Sequence, residues 1–321
     1  MRALALTLAL AASTAIAQPS PEQTLSAVVG VSAKIQQGAR SAATLGAQRR
    51  GSGALIREGY VLTIGYLVIE AESIEVAGAG GRTVPAKLAA FDHPSGFGLL
   101  ELLAPLEGTP LALGDSAALA EREPAMVVSA QAREGPSLVY VVSRRPFSGN
   151  WEYHLDSAIF TYPPVPDWSG APLISAKGEL VGIGSLIVGD AGGQGTQSPG
   201  NMFVPIDLLK PILRDLIEHG RRSGPARPWL GVNADELRGR LFVARLSPGG
   251  PAERAGLQAN DIVLAVGGEE VTTLAEFYRK IWSRGAAGVE VPLKVLRGAQ
   301  IKDLTVRSVD RAQYFRGSKT Y

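Results

Sequence analysis

The 321-residue chain contains no cysteine, which removes disulfides and thiolate chemistry. It holds only three histidines, His93, His154 and His219, so side chains able to serve as a general base near neutral pH are scarce. Basic and acidic residues nearly cancel, 32 against 30, for a formal net charge of +2. With no Lys/Arg-rich block, nothing in that balance asks for nucleic acid. No group of His, Asp and Glu has metal-ligand spacing, so neither a metal nor a cofactor is expected. Asp92, His93, Asp156 and Asp190 read instead as solvated loop residues. Past the first residues no apolar run is long enough to span a bilayer.

What is abundant is glycine, with 38 residues, and proline, with 21. Together with short apolar stretches, they indicate a turn-rich, mainly β architecture. Residues 1–17 read as a secretory signal: Arg2, an apolar run from Ala3 to Ala12, and the small-x-small site Ala15-Ile16-Ala17. Export without disulfides suits a bacterial periplasm.

Strand patterns follow at 24–33, 51–64, 73–76, 82–90, 97–103, 125–129 and 138–142, with a loop at 40–50. That spacing suggests antiparallel barrels or a sandwich. Residues 206–219 read as a helix capped by Asp207, with an apolar stripe of Leu209, Ile212, Leu213, Leu216 and Ile217. Gly220 stops it, and 221–228 is a linker by composition. Residues 228–308 form a second domain, in which Thr273 caps a helix, and 309–321 are a tail.

The motifs in this order resemble the HtrA/Deg family of serine peptidases. G-S-G-A-L-I-R-E-G-Y-V-L-T-I-G-Y-L-V at 51–68 is similar to the family's first-barrel segment. D-W-S-G-A-P-L at 167–173 resembles its nucleophile loop, G-N-S-G-G-P-L, followed by a hairpin to Gly184. Segments 141–143 and 201–220 fit the same pattern. The resemblance implies a chymotrypsin-like double β-barrel at 18–205, a helix and linker at 206–227, and a C-terminal PDZ domain at 228–308. It also implies a trimer.

Carried over residue by residue, the resemblance makes Ser169 the nucleophile position. Tyr66 stands at the family's histidine, Gly96 at its aspartate, and Asp167 at the glycine before the serine that helps form the oxyanion hole. A phenol with a pKa near 10 is ionised about one part in a thousand at pH 7, a very poor base for a serine hydroxyl. A carboxylate at 167 opposes the charge that an acyl-transfer intermediate develops. The expectation is therefore a catalytically silent, exported protein. It would bind peptide C-termini or unfolded proteins through its PDZ domain, in quality control or regulation of an active relative. Backbone N–H groups of Trp229, Leu230, Gly231 and Val232 would cradle a terminal carboxylate. Leu274, Phe277 and Ile281 share a helix face and belong to either core or groove. An active serine endopeptidase with a relocated base, His93 first, is the alternative. A purely architectural envelope protein is a weaker third reading.

Overall fold

The computed structural model describes residues 20–132, 135–193, 195 and 197–316; the expected signal at 1–17 lies outside them. Strands β1 (Val28–Ile35), β2 (Gln48–Arg57), β3 (Tyr60–Ile64), β4 (Ala71–Ala77), β5 (Thr83–Asp92) and β6 (Phe97–Leu102) close into one antiparallel barrel, in the order β1-β2-β3-β6-β5-β4. Strands β7 (Pro124–Val127), β8 (Ser137–Gly149), β9 (Tyr153–Tyr162), β10 (Pro172–Ser175), β11 (Leu180–Val188) and β12 (Gly200–Pro205) close a second, in the order β10-β11-β12-β9-β8-β7. Closure leaves no free sheet edge. Runs such as Val61, Leu62 and Ile64 are fully buried because β3 faces the barrel lumen on one side and packed elements on the other. The main core is continuous from Val29 and Leu100 of the first barrel to Phe160 and Val204 of the second. The line between the barrels is therefore rigid ground for a site.

Three local expectations change. The stretch expected as a strand at 24–33 begins as helix α1 (Pro21–Ser26), because Ser20 and Gln23 form a capping box that holds its first turn. The loop expected at 40–50 contains a short helix, α2 (Ala42–Leu45). The helix expected from 206 starts later, as α3 (Leu213–His219), after a 3-10 turn at Ile206–Leu208. Asp207 does not cap it. Its carboxylate accepts from Ser116 Oγ (2.7 Å) and Ala117 N (2.8 Å) and pairs with Lys210, tying this segment to the loop before β7. Gly220 does end α3, in the left-handed conformation.

The third unit holds β13 (Pro228–Trp229), β14 (Val232–Leu237), β15 (Arg240–Leu246), β16 (Ile262–Val266), β17 (Glu269–Glu270), β18 (Glu290–Arg297), β19 (Gln300–Arg307) and β20 (Val309–Asp310). Its helices are α4 (Pro251–Arg254), α5 (Leu274–Trp282) and α6 (Arg311–Arg316). Thr273 caps α5 in a capping box with Glu276. The main sheet runs β14-β15-β16-β18-β19, with β17 on β16, and has β14 as an edge strand. Leu274, Phe277, Tyr278 and Ile281 of α5 are buried in this unit's own core. Leu274 also lines the cleft beside the β8–β9 tip, and the Tyr278 hydroxyl bonds Gly149 O of that tip, so this face serves both core and groove.

Residues 309–316, expected as part of a tail, are structured. β20 pairs with β13, and Tyr314 of α6 packs on the Trp229 ring at 4.6 Å between centroids. The Arg40 guanidinium of the first barrel lies over the Tyr314 ring and donates to its carbonyl oxygen. In the linker, Arg222 forms a two-pronged pair with buried Asp92 at 2.6 Å for each contact. The units are thus fastened at several points.

Candidate active site and peptide groove

Ser169 lies in the turn between β9 and β10, where the two barrels meet. Ser52 N of β2 donates to its carbonyl oxygen (2.8 Å), and Gly170 N donates to Gly184 O of β11 (2.9 Å). Gly170 has φ +71°, and a Cβ there would collide with the Ser52 carbonyl oxygen, so only glycine lets the loop come this close. The serine is consequently held at a fixed place on the barrel seam.

Its hydroxyl meets the phenol of Tyr66, 2.8 Å away. Tyr66 sits in a 3-10 turn, Gly65–Leu67, that follows β3. The phenol also donates to the Ser185 carbonyl at 2.9 Å, an acceptor shared with Trp168 Nε1 at 3.3 Å. A phenol has one proton, and a carbonyl can only accept. With that proton on Ser185 O, the Ser169 hydroxyl must donate to the phenolic oxygen. Burial pushes the Tyr66 hydroxyl up to about 12, against the smaller opposing effect of its bonds to Ser169 and Trp168. Ionised phenol at pH 7 is then on the order of one part in 10⁵. The serine proton then points at an oxygen whose basic, ionised form is scarce at neutral pH.

Gly96 brings no acid. Its N donates to Asp92 O and its carbonyl accepts from Gly65 N, each at 2.7 Å, which closes the 92–96 turn against the Tyr66 turn. A Cβ at 96 would lie 3.3 Å from the Tyr153 hydroxyl, itself bonded to Ser95 O at 2.7 Å. The nearby carboxylate, Asp92, is committed to Ser95 and Arg222. Asp167 is half-buried beside the serine.

The hydrogen-bond partner of Ser169 Oγ is Tyr66, and His93 lies elsewhere. The His93 ring packs between Phe91 (4.2 Å) and Phe315 (6.0 Å) on a cavity of about 830 Å³ between the first barrel and the third unit. Burial, and then the Arg311 and Arg316 charges, hold it well below the usual histidine range. His154 is buried too, bonded through Nδ1 to Ser148 Oγ and facing Asp156 and Arg279 through Nε2. Among the described residues no His/Asp/Glu cluster could hold a metal ion.

In the third unit, the turn after β13 aims successive N–H groups at one point. Gly231 supplies the left-handed residue (φ +82°) that such a nest requires. That point holds the Glu152 carboxylate, from the tip between β8 and β9. Leu230 N (3.0 Å to Oε2), Gly231 N (2.6 Å to Oε1) and Val232 N (2.8 Å to Oε1) all donate to it. Burial pushes the Glu152 carboxyl up, opposed by these amides and by the Arg311 charge. Ala234 N of β14 donates to Asn150 O at 3.0 Å, and the Tyr278 hydroxyl of α5 donates to Gly149 O at 2.7 Å. Trp229, expected with this group, contributes its ring to the α6 contact rather than an N–H to the carboxylate.

The description of the trypsin-like peptidase domain matches residues 51–183, and that of the PDZ domain matches 228–307. The chain belongs to the HtrA/DegP family. A probable periplasmic serine endoprotease, DegP-like, from Halomonas elongata is 33% identical over 285 residues, 80% of this chain and 55% of that protein. The periplasmic pH-dependent serine endoprotease DegQ of Escherichia coli is 28% identical over 273 residues, 80% and 58%. This chain thus spans little more than half the length of the curated HtrA/DegP relatives it matches. Among solved structures, the HtrA-type protease AlgW with decapeptide superposes with a TM-score of 0.55 at 22% identity, covering 90% of this chain and 97% of that one. That likeness concerns the fold.

Sequence reasoning missed Glu152, Asn150 and Tyr278. Only Gly149-Asn150 between two apolar stretches carries a signal, and it marks a turn without saying what the turn touches. Ser185 enters through its backbone carbonyl, which any residue would supply.

Proposed function

We propose that this HtrA/DegP-family chain is an exported pseudo-peptidase. Its double barrel serves as a scaffold, and its PDZ domain binds peptide C-termini or unfolded segments in the periplasm. The observation that carries this reading is the neutral Tyr66 phenol 2.8 Å from Ser169 Oγ, where hydrolysis requires a base. Missing support at Gly96 and the carboxylate at Asp167 point the same way. A trimer, and a role beside an active relative, are part of the proposal by family resemblance.

The test is hydrolysis of unfolded casein by the purified chain beside Ser169→Ala and His93→Ala. We expect turnover equal to the Ser169→Ala background in all three. Turnover in the wild type that Ser169→Ala abolishes would overturn the reading. Titration with unfolded casein by light scattering, with and without the chain, reads the binding function separately.

A further inference from the structure

The PDZ nest is filled from within the chain. Glu152 stands at a hairpin tip with φ +55°, a left-handed conformation that is unfavourable for a residue with a side chain. Its two carboxylate oxygens take the N–H groups of Leu230, Gly231 and Val232 at 2.6–3.2 Å, charge-assisted bonds in a buried place. Beside it, the Asn150 carbonyl takes Ala234 N, a donor on the outer edge of β14. The Tyr278 hydroxyl clamps the tip at Gly149 O and receives Glu152 N at 3.3 Å. Asn150 Nδ2 reaches Asp235 at 3.1 Å.

A peptide that adds a strand to β14 and ends in a free carboxylate needs the same groups: three amides for its terminus and Ala234 N for its backbone. We propose that the β8–β9 tip is an internal ligand of the PDZ groove, and that carboxylate-terminated peptides bind only by displacing Glu152. This rests on the peptide-binding reading above. The tip imitates both parts of such a ligand, a carboxylate in the nest and an adjoining carbonyl on the strand. Because the tip is tethered, it competes at high local concentration, and the apparent affinity for a free peptide falls by the fraction of molecules in which the groove is open.

The experiment measures fluorescence anisotropy of labelled decapeptides ending in free Phe, Leu, Val or Tyr, with C-terminally amidated copies as controls. Full-length wild type, Glu152→Ala and Tyr278→Phe are compared. Hydrogen exchange at residues 230–232 is read in each protein without peptide. We expect Glu152→Ala to bind at least one free-carboxylate peptide about tenfold more tightly than wild type. Amidated copies should gain nothing, and amide protection at 230–232 should fall. Tyr278→Phe, which frees the tip while keeping the carboxylate, should give a smaller gain in the same direction. Equal affinity in wild type and both variants would overturn the proposal and leave the peptide-binding reading intact. Binding in none of the three would remove that reading and the competition together. Unchanged exchange in Glu152→Ala would overturn the occupancy itself.

Discussion

The serine cleft and the PDZ nest fail to present an open functional site in opposite ways. At the barrel seam the nucleophile position is kept and well held, but the group facing it is the Tyr66 phenol, whose pKa burial pushes up to about 12. In the PDZ domain the receiving groups are intact, with three amides converging, but the chain's own Glu152 occupies them. Converging backbone donors are a property of loop geometry and survive changes of side chain. A general base exists only in particular side chains, and one substitution removes it. On the reading proposed above, the first site lacks a reagent, whereas the second holds an occupant.

The largest expected effect tests whether the nest is held electrostatically. The Arg311 guanidinium is packed beside Glu152 and donates to its carbonyl oxygen. Arg311→Ala should cost about 3 kcal/mol in urea unfolding, because it leaves a buried carboxylate short of its countercharge. A loss below about 1 kcal/mol would mean that the amides alone suffice.

Next comes pH. The His93 pKa is lowered from 6.5, chiefly by burial and then by Arg311 and Arg316, so the folded chain prefers it neutral. The unfolded state therefore takes up a proton first as pH falls. The His93 contribution is fully present above about 6.5 and is lost below it, by up to about 1.4 kcal/mol per pH unit. His154, also lowered, acts in the same sense, and Glu152, raised, in the opposite sense. The difference between wild type and His93→Phe isolates the ring: wild type should lose more stability than the variant between pH 6.5 and 5.5. Parallel pH curves would refute this. The Tyr66 cleft should show no such change in this range, since its phenol titrates near 12.

Two hydroxyl deletions then compare the sites directly. Tyr278→Phe removes the clamp on Gly149 O and should cost about 1–2 kcal/mol. Tyr66→Phe should cost about 1 kcal/mol or less, because Ser185 O keeps Trp168 Nε1 as a donor. Casein turnover should stay at background in Tyr66→Phe; a rise or fall would mean that the phenol takes part in chemistry.

Much of the architecture was legible because it depends on local pattern. The Ser-Gly turn with its following hairpin, the Thr273 cap and the Gly220 stop each follow from a few adjacent residues. The start of α3 was not, because Asp207 is drawn away by Ser116, 91 positions earlier in the chain. The structured segment at 309–316 depends on pairing with β13, which no property of its own six-residue helix announces. Glu152 was invisible for a similar reason. Its role comes from reaching 78–80 residues along the sequence to the nest, and an exposed glutamate at a hairpin tip would look identical.

The Tyr153 hydroxyl beside Gly96 bears on history. On the reading proposed above, the genetic code puts both tyrosine and glycine a single base from the histidine and aspartate they replaced. The route back is nevertheless longer than the route out. The Tyr153 hydroxyl holds the Ser95 carbonyl and lies 3.3 Å from where a residue-96 Cβ would begin, so a carboxylate placed there would have to press it aside while taking up a φ of +83°. Position 96 is thus constrained by a tyrosine of the other barrel as well as by its own backbone.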